Sequence, residues 1–305
     1  MFLGIFPILA FIITLLLTPV ILRNFRNRNI VGMDLHKEEK PEIPEMVGAS
    51  ILAAISISLA ATYFFIGEVV LLFALAITMA TGLLGILDHY KPLTPTEKII
   101  GLTFIGLSYP LYLWPSGYHG LAFLLLLPFL FMIACNFTNM LAGFNGLEIG
   151  TGAIASLGVA AIAYMNKADT SFIIASTMAA ALLAFLYYNK FPARVFPGDV
   201  GTLIIGAALF TAILYGELYL SGIIIFLPYA LDAGLKFLSV GLMSRHSQAP
   251  TMIKNGKLYA PMGGNLSLPR LLLRIRPMGE KDIVHWTWSI EAFFASIAVA
   301  LEVGM

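Results

Sequence analysis

The chain has 305 residues, of which 59% are hydrophobic and only 11% are charged, and its mean hydropathy is +0.89. This is more apolar surface than one soluble core of this size needs, so the composition indicates an integral membrane protein. The formal net charge of +1 gives no overall basic field, which argues against nucleic acid as a partner. The lone cysteine, Cys135, excludes an internal disulfide and a cysteine metal cluster.

Apolar segments that approach the roughly 20 residues of a membrane-spanning helix recur along most of the chain. They lie near residues 2–22, 48–66, 69–87, 99–114, 121–135, 149–165, 172–188, 202–216, 218–241 and 286–303. No alternating pattern typical of a β-barrel is present. We therefore predict an all-α integral membrane protein of about ten transmembrane helices. It is expected to form a single polytopic domain over residues 1–305, with a loop at about 244–285.

The basic residues indicate how these segments are oriented. If the N-terminus lies outside, then of the 18 lysines and arginines only Lys167 falls in an outside loop and only Lys236 lies within a span. The positive-inside rule therefore predicts that both termini are extracytoplasmic and that the 244–285 loop is cytoplasmic. The polar segments described next fall on the same face, so we expect the active site to be cytoplasmic.

The first polar segment is GMDLHKEEKPEIPEMVG, from Gly32 to Gly48. Its mixed charges and two prolines are typical of a solvated connector. Alternatively, its backbone and the Glu45 side chain can hydrogen-bond the edge of a nucleobase.

The second polar segment is GILDHYKPLTPTEK, in which Asp88 ends an apolar helix and Lys98 follows a loop with two prolines. An acid at a helix end is often only a solvated boundary residue. The pairing of Asp88 with Lys98 gains weight because other groups suited to phosphate chemistry share this face. His89 can be a simple interfacial histidine.

The third polar segment is NFTNMLAGFNGLE. Asn136 and Asn139 are three residues apart and share a helix face, while Gly143 and Gly146 allow the backbone to turn and expose its amides. Neutral oxygen ligands of this kind suit Mg²⁺ or the hydroxyls of a sugar. The alternative is that these asparagines tie membrane helices together.

The fourth polar segment is RVFPGDVGTL, in which a Pro-Gly turn places Asp199 just before a new apolar helix. Asp199 is therefore either the N-cap of that helix or a metal ligand. An arginine, an acid and glycines that accompany an asparagine cluster favour a site for Mg²⁺ and a diphosphate.

These four segments, in this order and on one face, resemble the polyprenyl-phosphate N-acetylhexosamine-1-phosphate transferases over nearly the whole chain. The sequence is most similar to the branch that contains the eukaryotic dolichyl-phosphate N-acetylglucosamine-phosphotransferase, and less similar to the bacterial phospho-N-acetylmuramoyl-pentapeptide translocase. The resemblance implies transfer of N-acetylglucosamine 1-phosphate from UDP-N-acetylglucosamine to a dolichyl-type polyprenyl phosphate. The products are UMP and a lipid diphosphate sugar, in the first step of lipid-linked oligosaccharide synthesis for protein glycosylation.

The resemblance also implies roles for particular residues. Asn139 and Asp199 match the ligands of Mg²⁺, which Mn²⁺ can replace, and Asp88 and Lys98 match catalytic positions. The implied substrate contacts are Glu45, Asn136, Asn145, Glu148, Arg245 and His246. The chain departs from the family in having His89 where a second acid is expected, which leaves Asp88 as the acid to test. A plasma or endoplasmic reticulum membrane is expected, and a homodimer remains open.

A second class of function is a transporter or flippase for a lipid-linked or anionic solute. Asp232 and Lys236 lie four residues apart within one predicted span and can form a pathway pair or a structural ion pair. The polar groups gather at one face and no inverted repeat is visible, which favours the enzyme. The segment LSLPRLLLRIRP, residues 266–277, suits either a headgroup-level segment or a plain positively charged loop.

Overall fold

The computed structural model describes residues 4–114, 120–240, 251–261 and 266–304. The helices and strands in chain order are α1 (Ile5–Asn27), β1 (Val31–Met33), β2 (Glu42–Pro44), α2 (Ala49–Ile66), α3 (Val69–Tyr90), α4 (Pro95–Gly106), α5 (Ser108–Leu113), α6 (Leu121–Met140), α7 (Leu147–Met165), α8 (Asp169–Asn189), α9 (Gly198–Tyr215), α10 (Tyr219–Val240), β3 (Met252–Lys254), β4 (Lys257–Tyr259), α11 (Leu268–Ile275) and α12 (Glu280–Gly304).

Within these described ranges, nine helices are long and apolar enough to cross a bilayer: α1, α2, α3, α6, α7, α8, α9, α10 and α12. Large apolar side chains such as Phe64 and Leu111 are 84% and 76% exposed on the outside of the bundle, as expected for side chains that face lipid. The chain is a multi-pass integral membrane protein, and the prediction of an all-α bundle is confirmed.

The predicted span over residues 99–114 is formed by two shorter helices, α4 and α5, with an interruption at Leu107. Pro110 explains the break: it has no amide hydrogen, and its ring would clash with the carbonyl four residues earlier, at Gly106. At 1.5 Å per residue, the path from Pro95 to Leu113 covers about 28 Å.

The centre of the bundle is formed by α7, α8 and α9, which are the most buried of the nine helices. Small residues allow close approach between helices, as is usual in membranes. At Gly150 of α7, for example, a Cβ atom would lie 2.1 Å from Cε2 of Trp288 in α12. The two helices can therefore pack against each other only because this position has no side chain.

Two small antiparallel hairpins extend the bundle at the end where α7 begins. In the first, Val31 of β1 pairs with Pro44 of β2, so the segment predicted as a solvated connector is an ordered hairpin. In the second, β3 pairs with β4. His36 of the first hairpin and Thr251 beside the second are joined by a 2.6 Å hydrogen bond between Nδ1 and Oγ1.

Candidate active site

Three charged side chains from three helices meet at this end of the bundle. Asp88 lies in the last turn of α3, Lys98 in the first turn of α4 and Asp199 in the first turn of α9. Nζ of Lys98 is 3.1 Å from Oδ2 of Asp88 and also contacts the carboxylate of Asp199. Oδ1 of Asp88 accepts a 2.7 Å hydrogen bond from the backbone amide of Leu93. Asp88 is therefore a fixed and buried acid, not a solvated boundary residue.

Glycines bring these helices together. A Cβ atom at Gly85, one turn before Asp88, would lie 2.5 Å from the backbone nitrogen of Val200. A Cβ atom at Gly206 would lie 2.5 Å from the carbonyl oxygen of Ala134 in α6. The end of α3 and the body of α6 thus pack directly onto the backbone of α9, with its first turn next to Asp88.

Asn139 of α6 extends the cluster. Its Oδ1 accepts a 2.7 Å hydrogen bond from the Thr202 hydroxyl, and its Nδ2 lies 3.5 Å from Oδ2 of Asp199. The residue that caps α9 is Pro197, without a side-chain hydrogen bond, so the carboxylate of Asp199 does not serve as an N-cap. It is turned toward Lys98 and Asn139 instead.

The donor set around Asp199 fits a hard divalent cation. Asp199, Asn139 and Thr202 offer a carboxylate, an amide oxygen and a hydroxyl, which are the oxygen types that Mg²⁺ binds. Within the described ranges, no group of three or more His, Cys, Asp or Glu side chains could hold a metal ion. Mg²⁺ usually keeps several waters and takes other ligands from substrate phosphates, so a small protein donor set is sufficient.

Two cavities lie on either side of Asp199. The first, of about 320 Å³, is lined by residues 33–36, Glu45, parts of 139–148 and parts of 196–202. The second, of about 200 Å³, is lined by residues that include Gly85, Asp88 and His89. Both cavities are also lined by Glu45, Gly198 and Asp199. These three residues therefore form a shared wall between the two cavities.

The first cavity contains aromatic surface as well as polar groups. The ring of His36 stacks on Phe144 at 4.3 Å between centroids, and Phe196 lines the same cavity. Burial, the largest effect on His36, lowers its pKa from the ordinary 6.5 to about 4. His36 is therefore neutral at pH 7 and presents a flat, uncharged ring. The local sequence does not single out His36, because its contacts Phe144 and Thr251 are far away in the chain.

Asn145 lines the first cavity, but its backbone amide and both polar atoms of its side chain bind other residues of the protein. Its backbone amide donates to Oε1 of Glu280 at 2.7 Å, its Nδ2 donates to Oδ2 of Asp34 at 3.1 Å, and its Oδ1 accepts from the amide of Ala193 at 2.7 Å. Lys37 forms ion pairs with both Asp34 and Glu280. Asn145 therefore holds the cavity wall in shape. The local sequence gave no sign of this network, because its members are far apart in the chain.

The remaining predicted site residues occupy different surroundings. Glu148 is 7% exposed, lines the first cavity, and has no hydrogen-bond partner at Oε2 among the described residues. Asn136 does not line either cavity. Its Nδ2 donates a hydrogen bond to the carbonyl of Met132 in its own helix. Arg245 and His246 lie outside the described residues.

Asp232 and Lys236 form an ion pair of 2.7 Å within α10. Asp232 Oδ1 also accepts a 2.8 Å hydrogen bond from the amide of Leu268, and Lys236 Nζ donates to the carbonyl of Met140 at the end of α6. These contacts join α10 to two other helices. They favour the structural interpretation of this pair over a transport pathway.

Comparison with known proteins agrees with this arrangement. The profile of glycosyl transferase family 4 matches residues 69–217, a range that contains Asp88, Lys98, Asn139 and Asp199. A protein of Methanocaldococcus jannaschii, provisionally named a glycosyltransferase, is 42% identical to this chain over 299 residues. The aligned region covers 97% of this chain and 96% of that protein. The chain belongs to glycosyl transferase family 4. The resemblance noted in the sequence is thereby confirmed.

Two other relatives of this family 4 protein have more specific names. One, from Saccharolobus solfataricus, is provisionally named a UDP-N-acetylglucosamine–dolichyl-phosphate N-acetylglucosaminephosphotransferase and is 30% identical over 320 residues, covering 97% of this chain and 96% of the relative. The other, from Anoxybacillus flavithermus, is named a phospho-N-acetylmuramoyl-pentapeptide-transferase. It is 30% identical over 249 residues, which cover 71% of this chain and 76% of the relative.

Proposed function

We propose that this protein transfers N-acetylglucosamine 1-phosphate from UDP-N-acetylglucosamine to a dolichyl-type polyprenyl phosphate, with Mg²⁺ or Mn²⁺ as cofactor. The products are UMP and a lipid diphosphate sugar, which begins a lipid-linked oligosaccharide for protein glycosylation. The name of the relative from Saccharolobus solfataricus supports a UDP-N-acetylglucosamine donor and a dolichyl-phosphate acceptor, and the name of the relative from Anoxybacillus flavithermus supports transfer of a phosphorylated sugar. The observation that carries the proposal is the position of Asp199, next to Lys98 and in the wall shared by two cavities.

The two cavities suit the two substrates. In the first cavity, the stacked rings of His36 and Phe144 offer the apolar faces on which a nucleobase packs, while Glu45 and Glu148 offer hydrogen-bond acceptors. The second cavity is smaller and is lined by Asp88. We assign the first cavity to the nucleotide and the second to the phosphate of the lipid. Their shared wall is then the place where the acceptor phosphate meets the donor diphosphate.

The reaction needs little base catalysis. A phosphate monoester has a second pKa of about 6, so the lipid phosphate is largely a dianion near neutral pH. One of its oxygens attacks the β-phosphorus of the donor, the bond from that phosphorus to the bridging oxygen breaks, and UMP leaves. Asp88 accepts a remaining proton from the lipid phosphate and holds Lys98 in position.

The main obstacle is electrostatic, because two anions must approach each other. Lys98 lies between Asp88 and Asp199 and donates hydrogen bonds to phosphate oxygens as the substrates enter. Asp199 and Asn139 would hold the divalent cation, which when bound neutralises charge on the donor diphosphate. Arg245 and His246 are proposed to add positive charge at the same diphosphate.

Transfer of radiolabelled sugar phosphate into solvent-extractable lipid tests this function. The purified protein, given UDP-N-acetylglucosamine, dolichyl phosphate and Mg²⁺, should form labelled lipid, and EDTA should prevent it. A transporter or flippase would move its solute without forming this product, so a protein that binds the donor but yields no labelled lipid contradicts the proposal.

We also propose that both termini are extracytoplasmic and that the site faces the cytoplasm, in a plasma or endoplasmic reticulum membrane. The distribution of lysine and arginine supports this orientation. Cys135 is fully buried, so a single cysteine introduced at the exposed Lys254 can be labelled selectively. Labelling by an impermeant maleimide from the cytoplasmic side alone is expected, and labelling from the outside would reverse the orientation.

A further inference from the structure

The helix α11 has three distinct faces. Pro269 and Leu273, four residues apart, are buried against the protein. Leu271 and Ile275 share a second face, and Ile275 is 80% exposed. Arginines form the third face, and no acidic residue occurs between positions 266 and 279. An apolar stripe beside a basic stripe is the pattern of a helix that lies in the plane of a membrane surface.

The surroundings of α11 place it at the boundary of the membrane. Its first residue, Leu268, donates its amide to Asp232, about two turns before the C-terminal end of the candidate span α10. The helix ends at Ile275, and the candidate span α12 begins shortly afterwards, at Glu280. Trp286, in the second turn of α12, is 52% exposed, and tryptophan is the residue that most often marks the membrane–water interface.

Two arginines of this region point away from the protein. Arg274 and Arg276 are exposed, whereas Arg270 is only partly so. The pKa of Arg270 is lowered, first by burial and then by the charge of Arg274, while Asp232 opposes the shift. Arg270 therefore belongs to the contact with α10. The outward positive charge comes from Arg274 in α11 and from Arg276, the residue that follows the helix, on either side of the exposed Ile275.

We propose that α11 is a docking surface for anionic phospholipid headgroups, bound by Arg274 and Arg276 while Leu271 and Ile275 enter the acyl region. Charge complementarity selects this occupant, because a neutral headgroup offers two exposed arginines no net charge to pair with. Neither of the two cavities is lined by α11 among the described residues. The inference therefore goes beyond the transfer reaction, and its test requires no turnover.

Native mass spectrometry of the full chain in neutral detergent, with phosphatidylglycerol or phosphatidylcholine added, tests the proposal. The wild type should retain phosphatidylglycerol in preference to phosphatidylcholine. In the double variant R274Q/R276Q, the ratio of retained phosphatidylglycerol to phosphatidylcholine should fall at least about tenfold, since each basic residue near an anionic surface contributes about 1 kcal/mol. The matched control is K254Q/K257Q, which removes the same charge from exposed positions of the β3–β4 hairpin and should keep the preference.

A second measurement does not depend on the variants. Phosphatidylglycerol should raise the thermal unfolding temperature of the wild type relative to phosphatidylcholine, and the increase should vanish in 0.5 M NaCl, where the Debye length is only about 4 Å. Equal phosphatidylglycerol retention by wild type and R274Q/R276Q, or equal loss in both double variants, would overturn the proposal. The proposal would also be overturned if the increase in unfolding temperature survived high salt. It would likewise be overturned if these arginines retained only dolichyl phosphate and not phosphatidylglycerol.

Discussion

Lys98 Nζ lies 3.1 Å from Oδ2 of Asp88 and at the same time contacts Asp199, which is far away in the sequence. One ammonium group thus joins the last turn of α3 to the first turn of α9. Without substrate, this ion pair offsets part of the repulsion between two acids held close together. A site built in this way attracts cations and can exchange its internal contacts for contacts with phosphates.

The first prediction concerns Asp199. Asp199→Asn keeps the size of the side chain but removes the charge proposed to hold the divalent cation. Turnover should fall by at least about a hundredfold, because loss of an outer-shell partner of a metal already costs about 10- to 100-fold. Activity is measured as labelled lipid formed over a range of Mg²⁺ concentrations. The thermal unfolding temperature in detergent provides the control for folding, and near-normal Mg²⁺-dependent activity would remove Asp199 from the site.

The second prediction compares two neighbours in the second cavity. Asp88 contacts Lys98, whereas His89 packs its ring edge-on against Tyr90 at 5.5 Å. Asp88→Ala should reduce kcat by about 10² to 10⁴, the range for loss of an acid–base group. His89→Ala should stay within about tenfold of the wild type, because the carboxylate and the lysine remain.

Asp88→Asn separates the two roles of this acid. If it retains activity near the wild type and Asp88→Ala does not, the residue acts by positioning Lys98 and not by accepting a proton. Equal and complete loss in the Asp88→Ala and His89→Ala variants would show that the histidine has an essential role. No loss in Asp88→Ala would exclude the carboxylate from the mechanism.

The third prediction tests the glycine contact that joins α3 to α9. Gly85→Ala places a Cβ atom 2.5 Å from the backbone nitrogen of Val200, so the helices must separate. We expect a destabilisation of about 1–3 kcal/mol together with a loss of activity, because Asp88 moves relative to Asp199. Gly234→Ala in α10 is the matched control, since a Cβ atom there has no neighbour within 4 Å. Thermal unfolding and turnover that are unchanged in Gly85→Ala would contradict the packing argument.

The fourth prediction follows from the pKa of His36, which burial lowers from 6.5 to about 4 against the opposing charge of Asp34, with Lys37 and Arg270 lowering it further. The unfolded chain therefore binds a proton on this residue more readily than the folded chain does. The free energy of unfolding should fall as the pH drops from about 6.5 to about 4. His36→Gln should show a weaker loss of thermal stability over this interval, and an identical pH dependence in both proteins would contradict the assignment.

Much of the bundle follows from the sequence alone. Apolar length predicts the nine long helices, since each must satisfy its own backbone hydrogen bonds in lipid. The break at Leu107 was also present in the sequence as Pro110, but the apolar composition of residues 99–114 obscured it. Composition measures whether a segment can enter a membrane, whereas one proline decides whether it continues as a helix.

The site was only partly predictable, for a different reason. Asp88, Lys98, Asn139 and Asp199 lie where a motif indicates a polar group against an apolar background, and the structure brings them together. Thr202 could have been found, because it lies three residues after Asp199 and shares its helix face. The internal bonding of Asn145 depends on tertiary contacts to Asp34 and Glu280. Such contacts leave no local pattern in a sequence.

The most direct test of the central proposal asks which bond of the donor is broken. UDP-N-acetylglucosamine is prepared with ³²P at the β-phosphorus and ³H in the sugar, and is incubated with the purified protein, dolichyl phosphate and Mg²⁺. Transfer of sugar 1-phosphate predicts that both labels enter the extractable lipid in a ratio of one to one, with an equal amount of unlabelled UMP released. Entry of ³H without ³²P, accompanied by labelled UDP, would show transfer of the sugar alone and would contradict the proposed reaction.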